Sequence, residues 1–213
     1  MRLFMVRHGR TDSNVGLLLD TGEPGADLDA NGLEQAAALV ELLSEHAIDA
    51  VYASNLVRTQ QTALPLARAR GLDVKVLPGL REIPAGEDEM GTDARRYIGA
   101  LVAWGEGHLQ ERVPGGENAL EFFARYDDAI DTIAASGAEV AMVVSHGAAL
   151  RVWATARVDG FAEALGPAHL DNTGVIVVDG SPAEGWTLVH LSGVRKYPDH
   201  EAASQPERPA RRG

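Results

Sequence analysis

The chain has 213 residues, 45% of them hydrophobic, with 19 Lys and Arg against 31 Asp and Glu, a formal net charge of −12 and no cysteine. That length holds one sizeable α/β domain or at most two small ones. The acidic balance argues against general nucleic-acid binding, and the lack of cysteine rules out disulfides and thiolate nucleophiles, which removes Cys-dependent phosphatase chemistry and fits a reducing compartment. No run approaches the roughly 18 apolar residues of a membrane span. Only four apolar residues follow Arg2, too few for a signal-peptide core, so a soluble cytoplasmic protein without a membrane partner is expected.

In chain order, Leu3-Phe4-Met5-Val6 reads as a buried strand that breaks into Arg7-His8-Gly9. Gly9 permits a sharp turn and a close approach of backbone to ligand, and ligands of open α/β sheets sit just beyond the carboxyl ends of strands. Residues 15–30, punctuated by Gly16, Gly22, Pro24 and Gly25, read as a loop. At its end Asp27-Leu28-Asp29-Ala30-Asn31-Gly32 matches the first half of an EF-hand loop, but the twelfth position is Ala38. No apolar strand leads into Asp27-Leu28-Asp29, as an aspartate-nucleophile phosphatase would need. Asp29 therefore reads as the N-cap of a helix from about Ala30 to His46, with Leu33, Ala37, Val40 and Leu43 as its apolar stripe.

Ala50–Ala53 is a short strand ending at Ser54. Leu56 to Ala69 is a helix with Arg58 in its first turns, where free backbone N–H groups favour an anion. Gly71 stops it, and Val74 to Leu77 is the next strand. Leu80-Arg81-Glu82 leads into a segment with three consecutive acids, Glu87, Asp88 and Glu89. Helices are expected at about Asp93 to Gly105 and Asn118 to Ala135, separated by Pro114-Gly115-Gly116-Glu117. Strand Val140 to Ser145 ends in His146-Gly147, and Ala148 to Arg157 is a helix with Trp153 on its apolar side. Gly174 to Asp179 and Trp186 to Leu191 are the last strands. From Lys196 onward Pro, Glu and Arg replace apolar residues, so 1–195 reads as the domain and 196–213 as a disordered tail. No internal repeat is present.

Four motifs then stand in order: Arg7-His8-Gly9-Arg10-Thr11-Asp12-Ser13-Asn14, Ser54-Asn55-Leu56-Val57-Arg58-Thr59-Gln60-Gln61-Thr62, Leu80-Arg81-Glu82, and Ser145-His146-Gly147. Each alone is common. The ordered set, spread from about Met1 to Val178, resembles the histidine phosphatase superfamily, also called the phosphoglycerate mutase-like family. The resemblance implies an α/β fold, a three-layer α/β/α sandwich with a mostly parallel central sheet. It implies an enzyme, a metal-independent phosphomonoesterase that works through a phosphohistidine on a small phosphorylated metabolite, with no cofactor and no metal site.

Under that resemblance His8 is the nucleophile, and Arg7 and Arg58 hold the phosphoryl oxygens. His146 donates a hydrogen bond to them, Glu82 is the proton donor and later the base, and Thr11, Asn14 and Gly147 complete the substrate contacts. The chemistry explains these residue types, because a negative phosphoryl group resists attack until its charge is cancelled. Two alternatives stay open, a phosphoglycerate mutase and a non-catalytic phospho-ligand binding module; so does a homodimer. Glu87, Asp88 and Glu89 would repel a second phosphate, which favours hydrolysis over mutase chemistry, and would bias Glu82 towards its protonated form. Two departures stand out. Asp29 replaces the usual Thr cap, and the acidic segment replaces an aromatic, Trp-Glu-Gly-like stretch. Arg10 either reaches a carboxylate on the substrate or is solvated. His46, His108, His169, His190 and His200 lie outside every motif, with His169 close enough to the last strands to stay open.

Overall fold

The computed structural model describes residues 1–195; the expectation of a disordered tail over 196–213 lies outside the described residues. Seven strands form one sheet: β1 Arg2–Arg7, β2 Ala50–Ala53, β3 Val74–Val76, β4 Val140–Ser145, β5 Val158–Asp159, β6 His169–Ser181 and β7 Gly185–Arg195. Their order is β3-β2-β4-β1-β6-β7-β5. The first four are mutually parallel, β6 is antiparallel to β1 and β7, and β5 lies parallel to β7. The helices are α1 Asp12–Val15, α2 Ala30–Leu42, α3 Val57–Arg70, α4 Arg95–Gly105, α5 Ala119–Ala134, α6 Gly147–Arg157 and α7 Phe161–Leu165.

β1 and β4 are continuously apolar because both faces of the sheet are covered. Phe4, Val6, Val51 and Met142 pack against Leu39 of α2 and Leu66 of α3, while Leu3, Met5, Tyr52 and Val143 pack against Phe122 and Tyr126 of α5 and Trp153 of α6. The result is the expected three-layer α/β/α sandwich. The register pairs Arg7 with Ser145, so the two central strands end side by side and each releases a histidine at the same edge.

The structure differs from the sequence reading in four places. The buried side of α2 is Gly32, Ala36 and Leu39, whereas Leu33 is 53% exposed and Ala37 is exposed. The cause is a glycine contact that carries no hydrophobic signal. A Cβ on Gly9 would sit 2.7 Å from the Gly32 carbonyl, and one on Gly32 would run into the Arg10 carbonyl, so Gly32 must face the β1 exit. The helix also ends at Leu42 rather than His46. Before it, α1 is a single turn closed by a capping box between Thr11 and Asn14. Finally, β5 and α7 are too short to register as periodic patterns, and β6 and β7 run well beyond the apolar stretches that announced them.

Candidate active site

His8 leaves the end of β1 and is only 4% exposed. Its Nδ1 lies 2.7 Å from the Gly9 carbonyl. A carbonyl only accepts, so Nδ1 carries the proton and Nε2 of the neutral ring holds the lone pair. Burial, reinforced by the charges of Arg58 and Arg7, holds the His8 pKa well below the ordinary imidazole value. The Gly9 N–H donates to Thr62 Oγ1, which donates in turn to the Arg58 carbonyl. The last Thr of the α3 motif thus fixes the turn after the nucleophile candidate. Gly9 serves close packing on α2 rather than approach to a ligand.

His146 leaves β4 fully buried, with its ring centroid 5.2 Å from that of His8. Its Nε2 is 2.8 Å from Ser54 Oγ at the end of β2, and Ser54 Oγ is 3.0 Å from Thr59 Oγ1. Burial, with the charges of Arg58 and His8, also lowers its pKa well below the ordinary value. Nδ1 of His146 and Nη1 of Arg58 are buried with no hydrogen-bond partner among the described residues. Two unsatisfied buried nitrogens, one on Arg58 in the pocket and one on His146 beside His8, suit an anion with several oxygens.

Arg58 is 3% exposed. Its Nη2 donates to the Asp20 carbonyl at 2.8 Å, and Nη1 stands 3.7 Å from Asp20 Oδ1. Asp20 is held in turn by Ser13 Oγ and the Ala26 N–H. Arg7 Nη1 donates to the Leu170 carbonyl at 2.7 Å. Asn14 accepts at Oδ1 from the Thr11 N–H and from Asn172 Nδ2, which turns its own NH2 to the remaining side. Asn172 also donates to the His8 carbonyl. It lies in β6 where the register with β7 shifts, between Leu170 and Val175, next to Thr173 at φ 57°. Sequence reasoning missed Asn172, because an irregular strand position has no motif.

Glu82 sits against the start of α6. Its Oε1 accepts from the N–H groups of Ile83 and Ala149, and Oε2 from that of Ala148 at 3.1 Å. Its backbone is clamped by Arg125 of α5, which donates to the carbonyls of Gly79, Arg81 and Glu82 and pairs with Glu117. The Pro114–Glu117 loop thus positions Glu82, a role that spacing alone does not reveal. Tyr126 Oη and Ser145 Oγ add a chain that ends on the Leu80 carbonyl.

Two expectations are corrected. The acids after Glu82 do not face the phosphate pocket. Glu87 and Asp88 pair with Arg96 of α4, and Glu89 accepts from the N–H groups of Thr21 and Gly22 and from the Thr21 hydroxyl. Glu87 and Asp88 are thus offset by Arg96, whereas Glu89, which has no cationic partner in these contacts, still acts on Arg58 through its charge. Arg10 points away from the pocket as well. Its Nε is 2.7 Å from Asp29 Oδ2, and Asp29 caps α2 through the Gly32 N–H. With Asp27 accepting from Gln61, the Asp27–Asp29 stretch is wholly structural.

One cavity of about 1140 Å³ is lined by Arg7, His8, Thr11, Asn14, Arg58, Glu82 and Gly147. Every candidate site residue expected from the sequence lines it except His146, which is buried beside His8. Among the described residues no group of His, Asp and Glu is arranged to hold a metal ion, and no helix is long and apolar enough to cross a membrane.

Comparison with known proteins agrees with this geometry. A PE-PGRS family protein of Mycobacterium tuberculosis is 36% identical over 209 residues, covering 89% of this chain, and the chain spans about a third (36%) of that protein's length. A probable phosphoglycerate mutase, GpmB, of Enterobacter sp. is 30% identical over 98% of this chain and 100% of its own. Among solved structures, a mycobacterial glucosyl-3-phosphoglycerate phosphatase in complex with VO3 superposes with a TM-score of 0.73 at 28% identity, covering 90% of this chain and 98% of its own. The profile of the histidine phosphatase superfamily (branch 1) matches residues 3–192. With that match over nearly all of the described residues, the chain belongs to the histidine phosphatase superfamily.

Proposed function

We propose that the protein is a metal-independent phosphomonoesterase in which His8 is transiently phosphorylated. The observation that carries this reading is the fixed tautomer of a neutral, buried His8 beside the Arg58 and Arg7 charges. The Nε2 lone pair attacks phosphorus, and the bond from phosphorus to the ester oxygen breaks. Glu82 delivers the proton that the leaving oxygen takes up. Arg7, Arg58, the Asn14 amide and the His146 Nδ1–H receive the phosphoryl oxygens as their charge grows. Glu82, now a carboxylate, takes a proton from water as its oxygen attacks phosphorus. The P–N bond breaks, phosphate leaves, and Nε2 regains its lone pair.

His146 can donate from Nδ1 while neutral only if Nε2 accepts the Ser54 hydroxyl proton. The 2.8 Å contact between Ser54 and His146 supports that arrangement. Family membership supports hydrolysis of small phosphate esters, and the likeness to a probable mutase keeps phosphoryl return as the competing outcome.

The test is acid-labile phosphoryl labelling after brief exposure to an aryl phosphate, with activity followed before and after dialysis against EDTA. The wild type labels and keeps its activity, and His8→Ala loses both label and turnover while its melting curve stays cooperative. Labelling of His8→Ala, or activity that disappears with EDTA and returns with metal, refutes the reading. Incubation with 3-phosphoglycerate and a trace of 2,3-bisphosphoglycerate separates the two outcomes: free phosphate marks a hydrolase, 2-phosphoglycerate a mutase.

A further inference from the structure

We infer that the substrate is a phosphate monoester of a large apolar alcohol or phenol, not of a sugar or of glycerate; the inference rests on the phosphomonoesterase reading. The phosphate pocket is only one end of the cavity. The same space continues between α4 and α6, and its walls there are Ile98, Leu101 and Val102 of α4, Phe123 of α5, Val152 of α6 and Leu165 of α7. On α4 these positions, with Gly105, follow i, i+3, i+4 and i+7; Ala148, Arg151, Val152 and Thr155 do the same on α6. Two helices therefore turn one face each towards a shared space.

Leu101, Phe123, Val152 and Leu165 pack against the protein's own core, whereas the outer part of the α4 face does not. Ile98 and Val102 are each 54% exposed. A sugar or a glycerate needs hydroxyl and carboxylate partners along its length, because an unpaired polar group costs more than it gains. Among the described residues the polar groups along the continuation are Thr155, His169, Arg151, which donates one nitrogen to the Ala168 carbonyl, and Arg157, which pairs with Asp127; apolar side chains outnumber them. An apolar group loses nothing there and removes the exposed faces of α4 and α6 from water. Continuity with the anion pocket decides what covers this groove. A ligand anchored by its phosphate at His8 can lay its organic part along these walls without leaving the cavity. At 1.5 Å per residue, the seven-residue span from Ile98 to Gly105 gives a groove roughly 10 Å long.

The experiment measures kcat/KM for a series of n-alkyl phosphates from ethyl to dodecyl, together with 1-naphthyl phosphate, glucose 6-phosphate and 3-phosphoglycerate. Dissociation constants for the alkyl series are measured in parallel on the His8→Ala protein, so that the groove is read without turnover. The expected result is a rise of two- to fourfold per methylene, the upper figure being about 0.8 kcal/mol, levelling off once the chain spans the groove. 1-Naphthyl phosphate should exceed 3-phosphoglycerate at least tenfold. Val102→Asp and Ile98→Asp change exposed side chains outside the catalytic set. They should flatten the chain-length dependence while leaving ethyl phosphate hydrolysis near wild type.

A flat series, a preference for glucose 6-phosphate or 3-phosphoglycerate, or Asp variants that alter only the oligomeric mass each overturn the inference while hydrolysis itself persists. Absence of hydrolysis with every ester defeats the underlying reading instead. In that event binding that tightens with chain length still upholds the groove, and binding indifferent to it rejects the groove.

Discussion

Gly25 gives a sharp test of how the pocket is built. Its φ is +75°, and a Cβ there would fall inside van der Waals distance of Arg58 Nη1, with the Gly22 carbonyl 3.3 Å away. The guanidinium cannot swing aside freely, since it is buried and Nη2 is held by the Asp20 carbonyl at 2.8 Å. Gly25→Ala therefore carries two costs. The left-handed backbone contributes about 1–2 kcal/mol of strain, and Arg58 must move on the order of 1 Å to clear a normal contact. A misplacement of that size in a phosphoryl clamp costs about 10²-fold in rate, or roughly 2.7 kcal/mol of transition-state stabilisation.

Gly71 separates these two costs. It caps α3 at φ +67°, and an added methyl would meet nothing within 4 Å. Gly71→Ala should lose the same strain energy, lowering Tm by about 2–8 °C, with kcat/KM unchanged. Gly25→Ala should show a comparable Tm and about a hundredfold lower kcat/KM on an aryl phosphate. Wild-type kinetics in Gly25→Ala would refute the claim that Arg58 must stay where this loop puts it.

Ser54→Ala should lower kcat by 10- to 100-fold with little change in KM, because it removes the hydroxyl that sets which His146 nitrogen bears the proton; Ser54→Thr should restore most of it, and equal kinetics in all three would show the tautomer to be set otherwise. Stability should fall as the solution turns acid. His8 and His146 both have folded pKa values depressed by burial, so the unfolded chain binds more protons below about pH 6.5 and each contributes up to about 1.4 kcal/mol per pH unit to the loss as pH drops from there towards the folded values. Urea midpoints between pH 5 and 7.5 measure this; a slope unchanged in His8→Gln would show that His8 does not contribute. For the same reason turnover should persist below pH 6.5, since the nucleophile stays neutral there, and an acid limb at the ordinary imidazole pKa would contradict it.

The parallel sheet core and the placement of the candidate site residues were legible because their signals are local: an apolar run that ends in Arg-His-Gly or Ser-His-Gly states both the strand and the side chains delivered at its end. What stayed hidden depends on contacts between distant segments. Asn172 acquires its role only because β6 irregularity brings it to His8, and Arg125 only because α5 crosses the loop before Glu82. The first half of the α2 stripe was misjudged by one residue since backbone contact at Gly32, not side-chain hydrophobicity, orients the start of the helix, while Val40 and Leu43 do pack on the core. The acidic run after Glu82 misled in a different way. Net charge along a sequence says nothing about pairing, and Arg96 lies at the start of the next helix.

The placement of β1 has a bearing on how the chain reaches its folded state. β1 is made first but hydrogen-bonds on one side to β4 and on the other to β6, which begin at Val140 and His169. During synthesis its apolar run Leu3–Val6 thus waits with both edges open until most of the domain has emerged. Pairings this distant in sequence form slowly, and an open apolar strand is a template for unwanted association. β1 is therefore a segment that a nascent chain gains from having shielded, and a fragment ending before β6 lacks one of the two strands that flank the strand leading to His8.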